Sequence, residues 1–172
     1  MKIRLVFLLS EKINKKLNTY SAIIPKKYKA LFTLDKTHIP HITITTVAFE
    51  ESKLSEILME IENISKSVKG FNFKSEGLFH DGSGSVSIHL QENNHFKTIY
   101  TQALNTLGKN YTVKKLDYAP HITLTKYANE SDANKSIIKM DKPIPLFDIE
   151  SIAVCEDGDY GTCTKVIKDF IL

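Results

Sequence analysis

The hexapeptide Pro40-His41-Ile42-Thr43-Ile44-Thr45 returns as Pro120-His121-Ile122-Thr123-Leu124-Thr125 with one conservative change. Apolar and polar residues alternate in both copies, and branched side chains favour a pleated surface, so each copy reads as a β-strand. Side chains on a strand alternate faces, which groups His41, Thr43 and Thr45 against Ile42 and Ile44. The second copy divides in the same way, with His121, Thr123 and Thr125 opposite Ile122 and Leu124. One face belongs to a core. The other presents an imidazole with a hydroxyl about 7 Å further along the strand. Two such strands facing each other make a polar cleft with a histidine on each wall.

The two histidines stand 80 residues apart in a chain of 172, so the motif marks an approximate internal duplication. A Leu-Asp pair precedes each copy, Leu34-Asp35 and Leu116-Asp117. No Pro/Gly/Ser-rich linker interrupts the chain, which predicts one domain over 1–172. Patterning predicts strands over 2–9, 41–48, 71–79, 85–90, 121–127, 146–154 and 162–171. Helices are expected to open at Ser10 and to span about 51–68, 93–107 and 130–139. Strands joined by hairpins and interspersed with helices give an α+β fold of two similar halves.

A net charge of +3 permits a phosphate-bearing partner without demanding one. Arg4 is the only arginine, so bidentate arginine recognition of phosphate is almost out of reach. No stretch approaches the roughly 20 apolar residues of a membrane helix, and 3–9 reads as a strand rather than a signal-peptide core. A cytoplasmic setting follows as an expectation. Cys155 and Cys163 flank a turn-rich run and could face one another across a hairpin, but in that setting reduced thiols are expected.

An imidazole pair suits phosphodiester chemistry. Imidazole titrates near neutrality, so one copy can accept a proton from water or a ribose hydroxyl while the other protonates the departing oxygen. Thr43 and Thr123 can hydrogen-bond the non-bridging oxygens, whose charge grows in the transition state. No metal or other cofactor is needed for these steps. A metal site built from His38, His41, His121 and Asp35 is disfavoured, because Pro40 keeps the 38–41 segment extended. Phe79, Tyr118, Tyr127 and Tyr160 could each stack on a base. By strand parity Tyr127 points with His121 and Lys126 points away, unless a bulge intervenes. His80, His89 and His95 show no partner pattern and read as surface or hairpin residues. Ser83, Gly84 and Ser85 read as an ordinary hairpin turn that could also rim the cleft.

The paired motifs His41-Ile42-Thr43-Ile44 and His121-Ile122-Thr123-Leu124, each preceded by proline, resemble those of the two-histidine phosphoesterase superfamily. That superfamily includes 2′-5′ RNA ligase-like proteins, cyclic nucleotide phosphodiesterases and 2′,5′-oligoadenylate-cleaving enzymes. The resemblance implies a bilobed, pseudo-two-fold α+β fold, with antiparallel sheets lining a central cleft and helices outside. It also implies metal-independent action on RNA-type 2′,3′-cyclic phosphates or 2′,5′-phosphodiester bonds. On this reading His41 and His121 are the acid–base pair and Thr43 and Thr123 the phosphate-holding residues, while Tyr127, Phe79 and Tyr118 are the candidate substrate-binding aromatics by their own capacity to stack. The partner is then a nucleotide or RNA-type phosphodiester; separately, a monomer is expected, since no exposed apolar stripe stands out in the sequence. Lys126 stands where RNA ligase-like members often carry arginine. A nucleotide-binding module that keeps the cleft without turnover is the competing expectation.

Overall fold

The computed structural model describes residues 1–22, 30–35, 37–80, 82–115, 119–137 and 146–172. Within them the chain runs β1 (Lys2–Leu9), α1 (Glu11–Ser21), β2 (Ala30–Thr33), β3 (His41–Ala48), α2 (Leu54–Lys66) and β4 (Asn72–His80). It continues through β5 (Ser85–Leu90), α3 (Asn94–Leu107), β6 (Thr112–Val113), β7 (His121–Tyr127), α4 (Glu130–Ile137), β8 (Leu146–Glu156) and β9 (Val166–Ile171). The first six elements and the next six follow one order, β-α-β-β-α-β, with β9 added at the end. That is the duplication announced by the repeated hexapeptide.

The strands form an open antiparallel sheet in the order β2-β7-β5-β4-β8-β1-β3-β6, with β9 on β8. One lobe is therefore β8-β1-β3-β6 and the other β4-β5-β7-β2, joined where β4 meets β8. Each lobe takes its two inner strands from one repeat and its flanking strands from the other. β2 crosses to pair with β7, and β6 crosses to pair with β3. These crossing strands, of four and two residues, are too short to show an alternation and were not expected from the sequence.

The helices cover one side of the sheet. Ile13 and Leu17 of α1, Ile57 and Ile61 of α2, Phe96 and Ile99 of α3, and Ala133 of α4 join the strand residues in one core. Ile42, Ile44, Ile122 and Leu124 belong to it and are wholly buried, as the alternation requires. Asn93 caps α3 by accepting from the Phe96 amide at 2.8 Å, so that helix begins where its apolar periodicity does.

Both motif strands carry a β-bulge at the same place. In β1–β3 the register runs Leu8↔His41, Phe7↔Ile42, Val6↔Thr43 and then Leu5↔Thr45. In β5–β7 it runs His89↔His121, Ile88↔Ile122, Ser87↔Thr123 and then Val86↔Thr125. The extra residue is Ile44 in one and Leu124 in the other, and it turns every later side chain to the opposite face. Thr45 and Thr125 thus leave the cleft face on which strand parity had placed them. Buried, Thr45 Oγ1 donates to the Lys114 carbonyl at 2.7 Å and Thr125 Oγ1 to the Phe32 carbonyl at 2.8 Å. The last threonine of each motif fastens a crossing segment.

Candidate active site

His41 and His121 open their strands on the side away from the helical core. Each ring is oriented by its own backbone: His41 Nδ1 lies 2.8 Å from the Ile39 carbonyl, and His121 Nδ1 lies 2.8 Å from the Ala119 carbonyl. A carbonyl only accepts, so Nδ1 carries the proton in both rings, and in the neutral ring the basic lone pair lies on Nε2. Pro40 and Pro120 hold the segments two residues back extended, which brings those carbonyls under the rings. The two histidines are close enough for the charge of His121 to act on His41.

The walls are not equal. His41 is half-buried and His121 exposed. Burial pushes His41 down to about 4; the Arg4 guanidinium and His121 act in the same direction, and the Ile39 and Gly161 carbonyls act against it. Arg4 reaches the cleft face from β1, where it pairs with Thr46 in register. Its Nη1 donates to Thr43 Oγ1 at 3.2 Å, and its Nη2 to Asp157, which Lys2 also engages at 2.6 Å. Burial opposes ionisation of Asp157, yet Lys2 and Arg4 together hold its carboxyl below the usual range. In the second lobe a neutral group does the corresponding work, since Ser87 Oγ donates to Thr123 Oγ1 at 3.3 Å.

Phe79 packs edge-on against the His121 ring, with centroids 6.0 Å apart, and also against His89 at 4.9 Å. The structure therefore brings together His41, Thr43, His121, Thr123 and Phe79. It does not bring Tyr127 to them. The bulge at Leu124 turns Tyr127 into the core, where it is wholly buried, and turns Lys126 to the cleft face opposite Ser85. There Lys126 Nζ donates to the Ser83 carbonyl at 2.5 Å and to its hydroxyl at 2.6 Å, tying the 82–84 turn to β7. Tyr118, with Leu116 and Asp117, lies outside the described residues.

Several site neighbours escaped the sequence reading. Arg4, Ser87 and His89 become visible only through cross-strand register. His89 stands opposite His121 and pairs with Glu76 at 3.3 Å, so it is not a partnerless hairpin residue. Exposed Tyr160 stacks on Phe32 of β2 at 6.5 Å, with planes 16° apart. His38 is engaged by Asp35 at 2.9 Å and Thr37 at 3.1 Å. The cysteines depart from expectation: β8 and its return bring Cys155 and Cys163 within 5.8 Å at Cα, and they form a disulfide. That bond closes the loop carrying Asp157 and Gly161 beside Arg4.

No curated protein sequence matches the chain, but solved structures match it over almost their whole length. Escherichia coli LigT complexed with phosphate superposes with a TM-score of 0.70 at 15% identity, covering 99% of this chain and 96% of that one. LigT complexed with 3′-AMP gives 0.71 at 14%, covering 99% and 97%. Kluyveromyces marxianus Usb1 gives 0.61 at 13%, covering 99% and 98%. These likenesses establish the fold. The sequence carries the lineage independently, because the family model for the 2′-5′ RNA ligase superfamily matches residues 24–160, a span that holds both histidine motifs. This chain belongs to the 2′-5′ RNA ligase superfamily, the two-histidine phosphoesterases that its motifs resemble.

Proposed function

We propose that the protein is a metal-independent phosphodiesterase acting on RNA-type 2′,3′-cyclic phosphates or 2′,5′-phosphodiester bonds. The observation that carries this reading is the matched pair of rings, each with Nδ1 bound to the carbonyl two residues back, which puts the basic lone pair of the neutral ring on Nε2. Family membership supports phosphodiesterase-type activity, and the phosphate and 3′-AMP held by LigT support a nucleotide substrate.

For a 2′,3′-cyclic phosphate the step balances without a further reactant. One histidine takes a proton from water as its oxygen bonds phosphorus. The other gives a proton to the ribose oxygen as the old P–O bond breaks, yielding a phosphomonoester and a free hydroxyl. Each ring ends in its partner's starting state, and exchange with solvent resets both. Thr43 and Thr123 donate to the non-bridging oxygens, and Phe79 contacts the base.

The test is turnover in excess EDTA with 2′,3′-cyclic nucleotides and a 2′,5′-linked oligoadenylate side by side. Cleavage of either supports the reading and selects the substrate class. Tight binding of both with no product would replace it with a nucleotide-binding module. The reading includes a cytoplasmic monomer. The Cys155–Cys163 bond strains against that setting, since reducing compartments hold thiols reduced. Alkylation in intact cells before lysis decides: labelling of both cysteines supports the cytoplasmic placement, and protection of both contradicts it.

A further inference from the structure

We infer that Arg4 is a positioning residue of this site: by donating to Thr43, two residues along the same strand face from His41, it makes the first lobe the proton-accepting side, so that His41 is the base and His121 the acid. The inference rests on the phosphodiesterase reading for the reaction, but its physical content, the action of Arg4 on Thr43 and His41, does not need turnover to be seen.

Leu8, Val6 and Arg4 stand opposite His41, Thr43 and Thr46, while His89, Ser87 and Ser85 stand opposite His121, Thr123 and Lys126. The two lobes therefore superpose position by position, Arg4 on Ser85 and Thr46 on Lys126. Each lobe owns one cation in this row, supplied from opposite strands. Lys126 spends its ammonium on the Ser83 turn, away from Thr123. Arg4 instead bonds the motif threonine itself. Thr123 also has a donor, the neutral Ser87 hydroxyl, so what distinguishes the two lobes is the charge at the motif threonine, together with the deeper burial of His41.

The bond has a chemical consequence. A guanidinium only donates, so Thr43 Oγ1 accepts from it and the threonine's own O–H must act as donor, which is the role a non-bridging phosphoryl oxygen requires. Asp157 holds the far side of the guanidinium fork, and Gly161 lets it lie close: a Cβ there would come within 3.3 Å of Arg4 Nη2. Arg4 is thus fixed at both ends and pointed at Thr43. Its charge also disfavours a second cation at His41. Among the described residues the charged groups acting on His41 are Arg4 from β1 and His121 from β7, with Asp157 and Lys2 behind Arg4.

The deciding experiment follows the His41 imidazole by NMR through a pH titration in the native protein, R4Q and R4K, alongside kcat/KM profiles on a 2′,3′-cyclic nucleotide. Removing the charge in R4Q should raise the His41 midpoint by about one pH unit, and R4K should keep it near the native value. In the kinetics, R4Q should lose about 10- to 100-fold in kcat/KM with its acidic limb moved up, and R4K should recover the limb. A side chain of merely structural importance would lower the rate without moving either midpoint. Should R4Q fail to fold, D157N gives the opposite sign, because the uncompensated guanidinium lowers the His41 midpoint further. An unmoved His41 midpoint in R4Q, or in D157N where R4Q does not fold, overturns the inference. A native protein that turns over no substrate while its His41 midpoint still responds to R4Q would defeat the phosphodiesterase reading and leave the action of Arg4 on His41 standing.

Discussion

His41 couples the chemistry of the cleft to the stability of the fold. Unfolded, its imidazole titrates near 6.5, and in the folded chain burial brings it to about 4. Between those values the unfolded chain binds more protons, so acid favours unfolding. The stability tied to neutral His41 is complete above about pH 6.5 and is lost as pH falls toward 4, by on the order of 3 kcal/mol. His41→Asn cannot titrate and should lose that part of the slope. Urea denaturation of both proteins at pH 7, 5.5 and 4 checks it, and identical slopes would contradict a ring held neutral by the fold. The same residue shows what a sequence can disclose: the repeated Pro-His announces the ring, but its difference from His121 comes first from burial and then from Arg4, which lies 37 positions upstream and is placed only by pairing of β1 with β3.

At the scale of elements, the bulges decide which side chains reach the cleft. Through Thr43-Ile44-Thr45 and Thr123-Leu124-Thr125 the polar–apolar alternation continues unbroken. Nothing in the pattern marks an inserted residue, so parity carried Thr45, Thr125 and Tyr127 to the wrong face and Lys126 away from the right one. The main strands and helices were legible because their periodicity runs for six residues or more, whereas β2 and β6 are too short to carry one. The 82–84 turn was legible as a turn but not as the partner of β7. Gly84 sits at φ +91°, and a Cβ there would lie 2.6 Å from the Tyr127 carbonyl. Gly84→Ala should therefore cost about 1–3 kcal/mol from backbone strain, measured by urea denaturation. An unchanged midpoint would mean that the turn does not dock on β7 as described.

Over the whole molecule, duplication and exchange go together. The repeat that supplies β1 and β3 completes its sheet with β6 and β8 from the other repeat, and β5 and β7 are completed by β2 and β4. Neither repeat holds all the strands of a lobe. Residues 1–82 or 83–172 expressed separately should stay unfolded by circular dichroism, while the intact chain unfolds in one transition seen alike by fluorescence and by far-ultraviolet signal. Two resolved transitions would show that the lobes are independent. The duplication was visible from the hexapeptides, but the exchange was not, because it depends on which edges β2 and β6 find after the chain has turned. This arrangement sets one histidine strand from each repeat on opposite walls of one cleft, which a single repeat cannot do.

The central claim is that His41 and His121 each move a proton at one phosphodiester. Single-turnover rates of the native protein, His41→Ala and His121→Ala on the substrate that the EDTA panel selects test it most directly. The account predicts a loss of at least about 100-fold in each variant, in the range expected for removal of a general acid or base. Near-native turnover by either variant would contradict it.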